Sequence, residues 1–258
     1  MIDRLAVLAQ YDREMREDPP ASAGATFERS GALVREHDED DIIVYSHLTS
    51  ANAPAVVLEE ALRARSLGRT LEWKVYAHDG PPELSTLLAA AGFQPDEPET
   101  LVAFDLQKRR EDEAAPEGLR VREVSDLTIF HDALLVSEAA FGPSGPETLE
   151  KFRNRLGDPT ARLFVAYLGE HPVAAGRLEL PLGRSFAALW GGGTVPSARH
   201  RGAYRALVHA RSERAHQLGY RFVTVDARET SRPILERLGF VPLTGIRGWL
   251  LSARSPLT

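Results

Sequence analysis

The sequence predicts a mixed α+β protein made of two related domains, each with a central, mostly antiparallel twisted sheet flanked by helices. Three observations support this prediction. Helix-like and strand-like segments alternate in the same order in both halves of the 258-residue chain. In each half a strand ends at an aspartate, Asp79 or Asp226, and a Gly-Phe pair follows at the same distance, at Gly92 or Gly239. A charged segment with almost no apolar side chains, residues 108–118, lies between the halves.

Two copies of one folding unit explain this repetition more simply than chance does. The charged segment, KRREDEAAPEG, contains Pro116 and Gly118, which is typical of a linker. We therefore expect residues 1–108 to form the first domain, residues 109–118 the linker and residues 119–258 the second domain. Both domains would have an ordinary size.

The first half begins with two predicted strands, residues 32–35 and 41–47, joined by an acidic hairpin turn. The helix that follows has Ser50 or Asn52 as its cap and ends at Gly68. The remaining segments are a strand, a helix and a strand, at residues 71–78, 82–91 and 101–106. A metal site at His37 is less favoured than a solvated turn, and we expect no metal ion.

The second half begins with a predicted strand at residues 119–124 and a helix at 125–140, with Ser125 as its cap. A second helix is expected at residues 146–156. An antiparallel meander of three strands follows, at residues 162–168, 173–180 and 186–195. The last predicted elements are a helix, a strand, a short helix and a strand, at residues 202–218, 222–226, 232–238 and 248–252.

The composition excludes several classes of protein. The chain is 43% hydrophobic and 26% charged, which is typical of a soluble globular protein. Its formal net charge of −6 provides no bulk positive field for nucleic acid. The absence of cysteine excludes disulfides and thiolate chemistry, and no segment approaches the ~20 apolar residues of a membrane span. We expect a cytoplasmic bacterial protein, a monomer or homodimer, with no nucleic-acid or membrane partner.

The most informative segment is residues 191–207, GGGTVPSARHRGAYRAL, where a strand leads through a basic loop into a helix. The first turn of a helix has about four backbone N–H groups without partners and carries about half a positive charge. Gly202 lets a ligand approach the backbone closely. The basic side chains around it are Arg199, His200, Arg201 and Arg205. The segment therefore predicts a site for a small anion such as a pyrophosphate.

The same segment resembles the signature of the GNAT superfamily of acyl-coenzyme A N-acyltransferases. Val195-Pro196 matches the strand end of the signature, and residues 199–204, RHRGAY, match Arg/Gln-x-x-Gly-x-Gly/Ala except at Tyr204. Leu238-Gly239-Phe240 matches the closing helix of the family. The resemblance extends from Leu119 to about Ser252 as one complete domain.

The first half resembles a degenerate copy of the same fold. The segment before its helix, residues 46–52, contains neither Gly nor Arg, so the phosphate-binding loop is missing. Tandem proteins of this superfamily often combine one active and one structural copy. We therefore expect that the first domain does not bind coenzyme A.

The resemblance implies transfer of an acetyl group from acetyl-coenzyme A to a primary amine of a small molecule or peptide, by direct attack in a ternary complex. It places coenzyme A in a V between the fourth and fifth strands of the second domain, paired with the backbone of the fourth. The residues expected to bind it are Gly193, Thr194, Val195, Arg199, His200, Arg201, Gly202, Ala203, Tyr204, Arg205 and Ser231. Two alternatives stay open: Ser231 as a helix cap, and glycines 191–193 as a β-bulge without a ligand.

Acyl transfer needs a neutral amine, a polarised carbonyl and a proton for the leaving thiolate. By resemblance, the N–H of Val195 is the oxyanion donor. The fourth strand contains no carboxylate, which leaves Glu179 and Glu138 as candidate bases, with a plain surface role as the alternative for each. The position of the usual tyrosine acid is Leu235, so Tyr204 is the candidate substitute, with core packing as its alternative.

Two functions of other classes are also compatible with the sequence. The missing tyrosine and strand carboxylate are expected of a non-catalytic acyl-coenzyme A sensor or scaffold. A basic loop before a helix is also an ordinary helix start, which an interaction module would share. Turnover separates an enzyme from a sensor, and stabilisation by acetyl-coenzyme A separates both from an interaction module.

Overall fold

A computed structural model of the chain describes residues 2–21, 25–38, 40–109, 118–143, 145, 150, 153 and 156–252. Its elements form two units that are not continuous in sequence. The first comprises Met1–Val102, Asp226–Glu236 and Val241–Thr258, and the second comprises Ala103–Val225 and Arg237–Phe240. These units differ from the expected domain boundaries, because segments near the end of the chain belong to the first unit. The expected linker and the helix expected at 146–156 lie mostly outside the described residues.

Six α-helices are described. They are α1 (Arg4–Tyr11), α2 (Ala53–Leu67), α3 (Leu84–Ala90), α4 (Leu127–Phe141), α5 (Ala203–Gln217) and α6 (Arg232–Arg237). A π-helical segment, Asp12–Glu17, continues α1. None of the described helices is long and apolar enough to cross a membrane.

The first unit contains a mixed sheet. Its strands are β1 (Thr26–Ser30), β2 (Leu33–His37), β3 (Asp41–Ser46), β4 (Leu71–Tyr76), β5 (Gln94–Pro95) and β12 (Val241–Leu251). β1, β2 and β3 are antiparallel, β3 is parallel to β4, and β12 is antiparallel to β4. The final strand of the chain, expected in the second domain, thus pairs within the first unit. β6 (Glu99–Asp105) and β11 (Phe222–Arg228) each begin in one unit and end in the other.

The core of the first unit lies where α2 and α3 cover this sheet, around Trp73, Leu88 and Trp249. α2 ends at Gly68 with φ 64°, as predicted. Asn52, one of the two predicted caps, occupies the N-cap position, but its Oδ1 atom accepts a hydrogen bond from the N–H of Thr49 and none from the helix.

The second unit contains four antiparallel strands followed by a parallel one. They are β7 (Leu119–Glu123), β8 (Ala161–Leu168), β9 (His171–Glu179), β10 (Phe186–Thr194) and the first part of β11. The predicted meander of β8, β9 and β10 is confirmed. α4 packs on the sheet through Ile129, Ala133 and Val136. Its cap is Asp126, whose carboxylate accepts from the N–H of Ile129, and not Ser125.

Candidate functional site

β10 separates from β11 in the part of the second unit where the sequence predicts coenzyme A. The two strands pair in parallel only from Phe186↔Phe222 to Ala188↔Thr224. β10 then continues to Thr194 alongside β9. The predicted opening between the fourth and fifth strands is therefore confirmed, and it leaves the second half of β10 beside a gap.

A β-bulge interrupts β10 next to this gap. Its register with β9 shifts between Trp190 and Gly193, and Gly191 has a φ of 56°. A Cβ atom on Gly193 would lie 2.7 Å from the Cβ of Ala140 and 2.7 Å from the Cε2 of Phe141, at the end of α4. Packing within the protein therefore requires glycine at position 193, and the glycine run forms a bulge. Whether a ligand also contacts these glycines stays a prediction.

Two side chains of α5 enclose the middle glycine of the bulge. A Cβ atom on Gly192 would lie 3.0 Å from Cε2 of Tyr204 and 3.2 Å from Nη2 of Arg211. The candidate acid Tyr204 thus packs its ring directly against the bulge. Burial raises the pKa of Tyr204 above its ordinary value, against a smaller lowering by the charge of Arg211. The phenol is therefore protonated at neutral pH.

Arg211 is a residue that sequence reasoning missed. Its side chain is 1% exposed. Its Nη1 atom donates to the carbonyls of Arg177 at 3.0 Å and Trp190 at 3.4 Å, and its Nε atom donates to Leu207 at 3.2 Å. The signal in the sequence was an arginine within the apolar stripe of α5, one turn after Leu207 and one turn before Ala215.

The loop after β10 leads into an uncapped basic helix start. His200 has a φ of 63° and Gly202 a φ of 85°, and no side chain caps the first turn of α5. Its first amides therefore stay available to an anion. The side chains of Arg199, His200, Arg201 and Arg205 are exposed. None of these three arginines forms an ion pair with a residue that the structure describes.

A buried hydroxyl at the end of β10 has no partner. The Oγ1 atom of Thr194 is shielded from solvent and forms no hydrogen bond to any described residue. Such an atom costs about 1–3 kcal/mol when it stays unsatisfied. The gap and the basic helix start together fit a ligand that ends in a pyrophosphate.

The N–H of Val195 is already engaged. It donates to the carbonyl of Val173 at 2.9 Å, which extends the β9–β10 ladder one residue beyond the strand. The structure contradicts the expected oxyanion role, because a donor used within the sheet does not reach a ligand carbonyl. The side chain of Val195 instead packs against the core beneath α4.

The two candidate bases lie in different surroundings. Glu138 is exposed on α4, which is where a plain surface carboxylate is found. Glu179 lies at the end of β9, opposite Ala188 of β10, with its side chain 17% exposed and paired with Arg177. Glu179 therefore lies on the β9 side of β10, and its role as a base stays a prediction.

A cavity of about 420 Å³ lies between the start of α4 and strands β8 and β9. Leu127, Leu163 and Arg177 are among its lining residues. Leu163 is in register with Arg177, which is in register with Trp190 at the start of the bulge. Two residues of the cavity wall, Leu163 and Arg177, are therefore in register across the sheet with Trp190, the residue at which the bulge begins.

Ser231 and Leu235 belong to the first unit. The hydroxyl of Ser231 donates to the carbonyl of Arg228 at 3.2 Å and does not cap α6, although the backbone carbonyl of Ser231 accepts from Leu235. Leu235 is completely buried. Its side chain offers no proton, as the sequence indicates. A contact of Ser231 with coenzyme A stays a prediction.

In the first unit, a side chain of the protein bridges the gap between the corresponding strands. The parallel pairing of β3 and β4 ends at Ile43↔Trp73. Beyond it, the Nε atom of Arg16 donates to the carbonyl of Val44 at 3.2 Å, and the guanidinium lies 3.6 Å from the ring centre of Tyr76. Its Nη2 atom donates to both oxygens of Asp79, at 2.9 and 2.7 Å. Arg16 is 2% exposed.

Comparison with known proteins gives a family match for the second part of the chain. Residues 130–240, which include the bulge, the basic loop and α5, match the family model "Acetyltransferase (GNAT) family". Over these residues the chain is similar to a GNAT acetyltransferase domain. The family indicates a transferase that uses an acyl-coenzyme A as its donor and an amine as its acceptor.

Solved structures show that the whole chain has the tandem GNAT fold. A GCN5-related N-acetyltransferase from Kribbella flavida aligns with a TM-score of 0.68 at 17% identity, covering 95% of this chain and 93% of that one. Another from Sphaerobacter thermophilus gives 0.67 at 18% identity, covering 98% and 92%. A tandem GNAT protein from the clavulanic acid biosynthesis pathway gives 0.63 at 17% identity, covering 92% and 86%. No curated protein matches the chain.

Proposed function

We propose that this GNAT protein is an acetyl-coenzyme A-dependent N-acetyltransferase that acts on a primary amine of a small molecule or peptide. The observation that carries the proposal is the gap beside β10, which ends at an uncapped helix start with three arginines. Bound acetyl-coenzyme A supplies an activated acetyl thioester. The protein residues then have three tasks: to hold that donor, to polarise its carbonyl and to manage two protons.

The binding task falls to the second half of β10 and the loop after it. The amides at the start of α5, with the side chains of Arg199, Arg201 and Arg205, would hold the pyrophosphate. The orphaned Oγ1 atom of Thr194 would pair with an amide of the pantetheine arm. These groups act on a small local anion, which agrees with the net charge of −6 for the whole chain.

Tyr204 is the proposed proton donor to the leaving thiolate. Its ring lies against Gly192 of the bulge, and burial keeps its phenol protonated. A positioned acid of this kind contributes about 10²–10⁴-fold to a rate. Because the N–H of Val195 is engaged, carbonyl polarisation is assigned instead to the bulge as a whole, residues 190–193.

The acceptor amine would approach along β9. The cavity at Leu163 and Arg177 lies in the register row of Trp190, next to the bulge. Glu179 lies on β9 two residues after Arg177, and it is the proposed base. Acidic and basic side chains both line the cavity, with Glu123 and Asp126 among the acids, so an acceptor with a cationic amine and a further polar group suits it.

The first unit is proposed to be the structural copy. Arg16 already bonds to the β3 carbonyl of Val44 and to Asp79 beyond β4. These contacts occupy the gap that corresponds to the proposed donor site. The helix after this gap, α2, also begins without an arginine or glycine in the preceding loop.

Release of free thiol from acetyl-coenzyme A tests the proposal. The full chain is incubated with acetyl-coenzyme A and a panel of primary amines, including aminoglycosides, polyamines and peptides with free N-termini. Thiol release above the amine-free background for at least one amine is expected. Tight binding of acetyl-coenzyme A without turnover on any amine would favour a sensor, and the absence of both would refute an acyl-coenzyme A function.

A further inference from the structure

Arg211 is a fully buried cation that the proposed mechanism has not yet used. Its side chain is 1% exposed, and no described carboxylate pairs with it. Its partners are backbone carbonyls, those of Leu207, Arg177 and Trp190. Burial lowers the pKa of Arg211 to about 10, and the guanidinium still stays charged at neutral pH. A buried charge without a counter-ion is costly, so its retention indicates a task.

The position of Arg211 coincides with the bulge. Trp190 is the last residue of β10 in register before the bulge, and Arg177 is its partner on β9. One nitrogen, Nη1, donates to the carbonyls of both residues. The guanidinium therefore links β9 and β10 at the last residue pair before their register shifts.

Two glycines make room for this side chain. A Cβ atom on Gly176 would lie 2.7 Å from Nη1 of Arg211, and a Cβ atom on Gly192 would lie 3.2 Å from Nη2. Any larger residue at Gly176 would displace the guanidinium or the strand. Glycine at positions 176 and 192 therefore leaves the space behind the bulge that the guanidinium of Arg211 occupies.

The charge acts on the peptide groups of the bulge. A guanidinium that donates to the carbonyl of Trp190 withdraws electron density from the Trp190–Gly191 peptide group, which strengthens its N–H as a donor. Arg211 and Tyr204 both lie against Gly192 in a buried, low-dielectric region. The positive charge of Arg211 there lowers the free energy of a negative charge that develops beside the bulge. Both effects favour the anionic states that form during acyl transfer.

We infer that Arg211 is a positioning residue that holds the β10 bulge in shape and provides the positive field behind it for polarisation of the acyl carbonyl. The inference rests on the proposed function, because the bulge has this task only if an acyl donor binds beside β10. Arg211 does not itself touch the donor in this role. It acts through the Trp190–Gly191 peptide group.

The test compares Arg211→Met and Arg211→Lys with the unchanged protein and with Arg109→Met as a control. Arg109 also holds α5, through Glu213 at 2.7 Å, but lies away from the bulge. Three quantities are measured: kcat and KM with the amine identified by the panel, the melting temperature, and the infrared carbonyl band of acetyl-coenzyme A labelled at the thioester carbon and bound to the full chain.

Arg211→Met is expected to lower kcat by about 10-fold, less than the ~10²–10³-fold loss on removal of an oxyanion donor, because the Gly191 N–H stays in place. Its KM for acetyl-coenzyme A should change little, because the phosphate contacts are intact. The bound carbonyl band should move to higher wavenumber, towards that of free acetyl-coenzyme A. Arg211→Lys should recover part of both effects, since the charge is kept and the planar fork is lost. Arg109→Met should leave kcat and the band unchanged.

An unchanged carbonyl band in Arg211→Met would overturn the inference, even if stability falls, because a purely structural role does not alter carbonyl polarisation. If Arg211→Met does not fold, Gly176→Ala decides, since its methyl group displaces the guanidinium and keeps the charge: the band should shift, and an unchanged band overturns the inference. Failure of the unchanged protein to bind acetyl-coenzyme A would instead refute the proposed function.

Discussion

Tyr204 lies at the first turn of α5, where the family signature has Gly or Ala. The small residue of the signature leaves space that the tyrosine ring fills here, against Gly192. The residue that departs from the motif therefore brings an ionisable group to the bulge. Leu235, at the position of the usual tyrosine, is completely buried and has no proton to give.

Tyr204→Phe removes the phenol and keeps the ring that packs on the bulge. If Tyr204 protonates the leaving thiolate, kcat should fall by about 10²-fold or more, with little change in KM for acetyl-coenzyme A or in melting temperature. Steady-state kinetics of thiol release measures this split.

Tyr220→Phe is the matched control for this substitution. Tyr220 lies in the same unit and its hydroxyl donates to the carbonyl of Pro181 at 3.1 Å. Tyr220→Phe should lower the free energy of unfolding by about 1 kcal/mol through the lost hydrogen bond and leave kcat unchanged. Equal kcat values for Tyr204→Phe and the unchanged protein would exclude Tyr204 as the acid.

Single residues also show where sequence reasoning stops. The basic loop and Tyr204 could be predicted because they are recognised by side-chain types at a fixed spacing in the sequence. The engagement of the Val195 N–H could not, since a backbone donor becomes free or bound only through the register of two strands. Arg211 was hidden for a related reason, because its partners are carbonyls of distant strands.

At the scale of elements, the start of α5 is the feature that distinguishes the two units. It is uncapped and surrounded by exposed arginines, whereas α2 follows a loop without any arginine. The helix dipole alone is the same for both, so the difference in anion affinity that we expect must come from the loop.

Gly202→Glu places a carboxylate at the α5 start and should abolish stabilisation by acetyl-coenzyme A. In the unchanged protein, ligand at ~100 times its dissociation constant adds about 2.7 kcal/mol of stability. Asn52→Glu introduces the same charge at the start of α2 and should keep the full shift. Thermal melting with and without acetyl-coenzyme A measures both, and equal effects of the two substitutions would refute a site confined to the second unit.

The π-helical segment after α1 is the second informative element, because it carries Arg16 into the gap between β3 and β4. Neither α1 nor this segment was predicted. α1 buries only Val7, and in the π-helical segment the buried residue is an arginine, so neither shows the apolar pattern that predicts a helix. A buried ion pair with Asp79, whose own side chain is 4% exposed, stabilises the buried position of the Arg16 side chain.

Arg16→Met should destabilise the protein by about 3–5 kcal/mol, because it leaves the carboxylate of Asp79 buried and unpaired. Arg29→Met, which removes an exposed ion pair with Asp18, should cost no more than about 1 kcal/mol. Chemical denaturation measures both. A similar small loss for the two variants would show that Arg16 does not hold the gap of the first unit.

At the scale of the whole molecule, the sequence predicted the fold class, the duplication and the order of most strands correctly. These features follow from hydrophobic period, caps and repeated spacing, which are local properties. The membership of β12 in the first unit is not local, because β12 pairs with β4 from the other end of the chain. A boundary drawn from composition at residues 109–118 cannot contain that information.

The protein is therefore a duplicated fold in which we propose that the second unit keeps the donor site, while Arg16 fills the corresponding gap in the first. Calorimetric titration of the full chain with acetyl-coenzyme A tests this claim most directly. One molecule bound per chain is expected in the unchanged protein and none in Gly202→Glu. Two molecules bound per chain, or one that persists in Gly202→Glu, would contradict it.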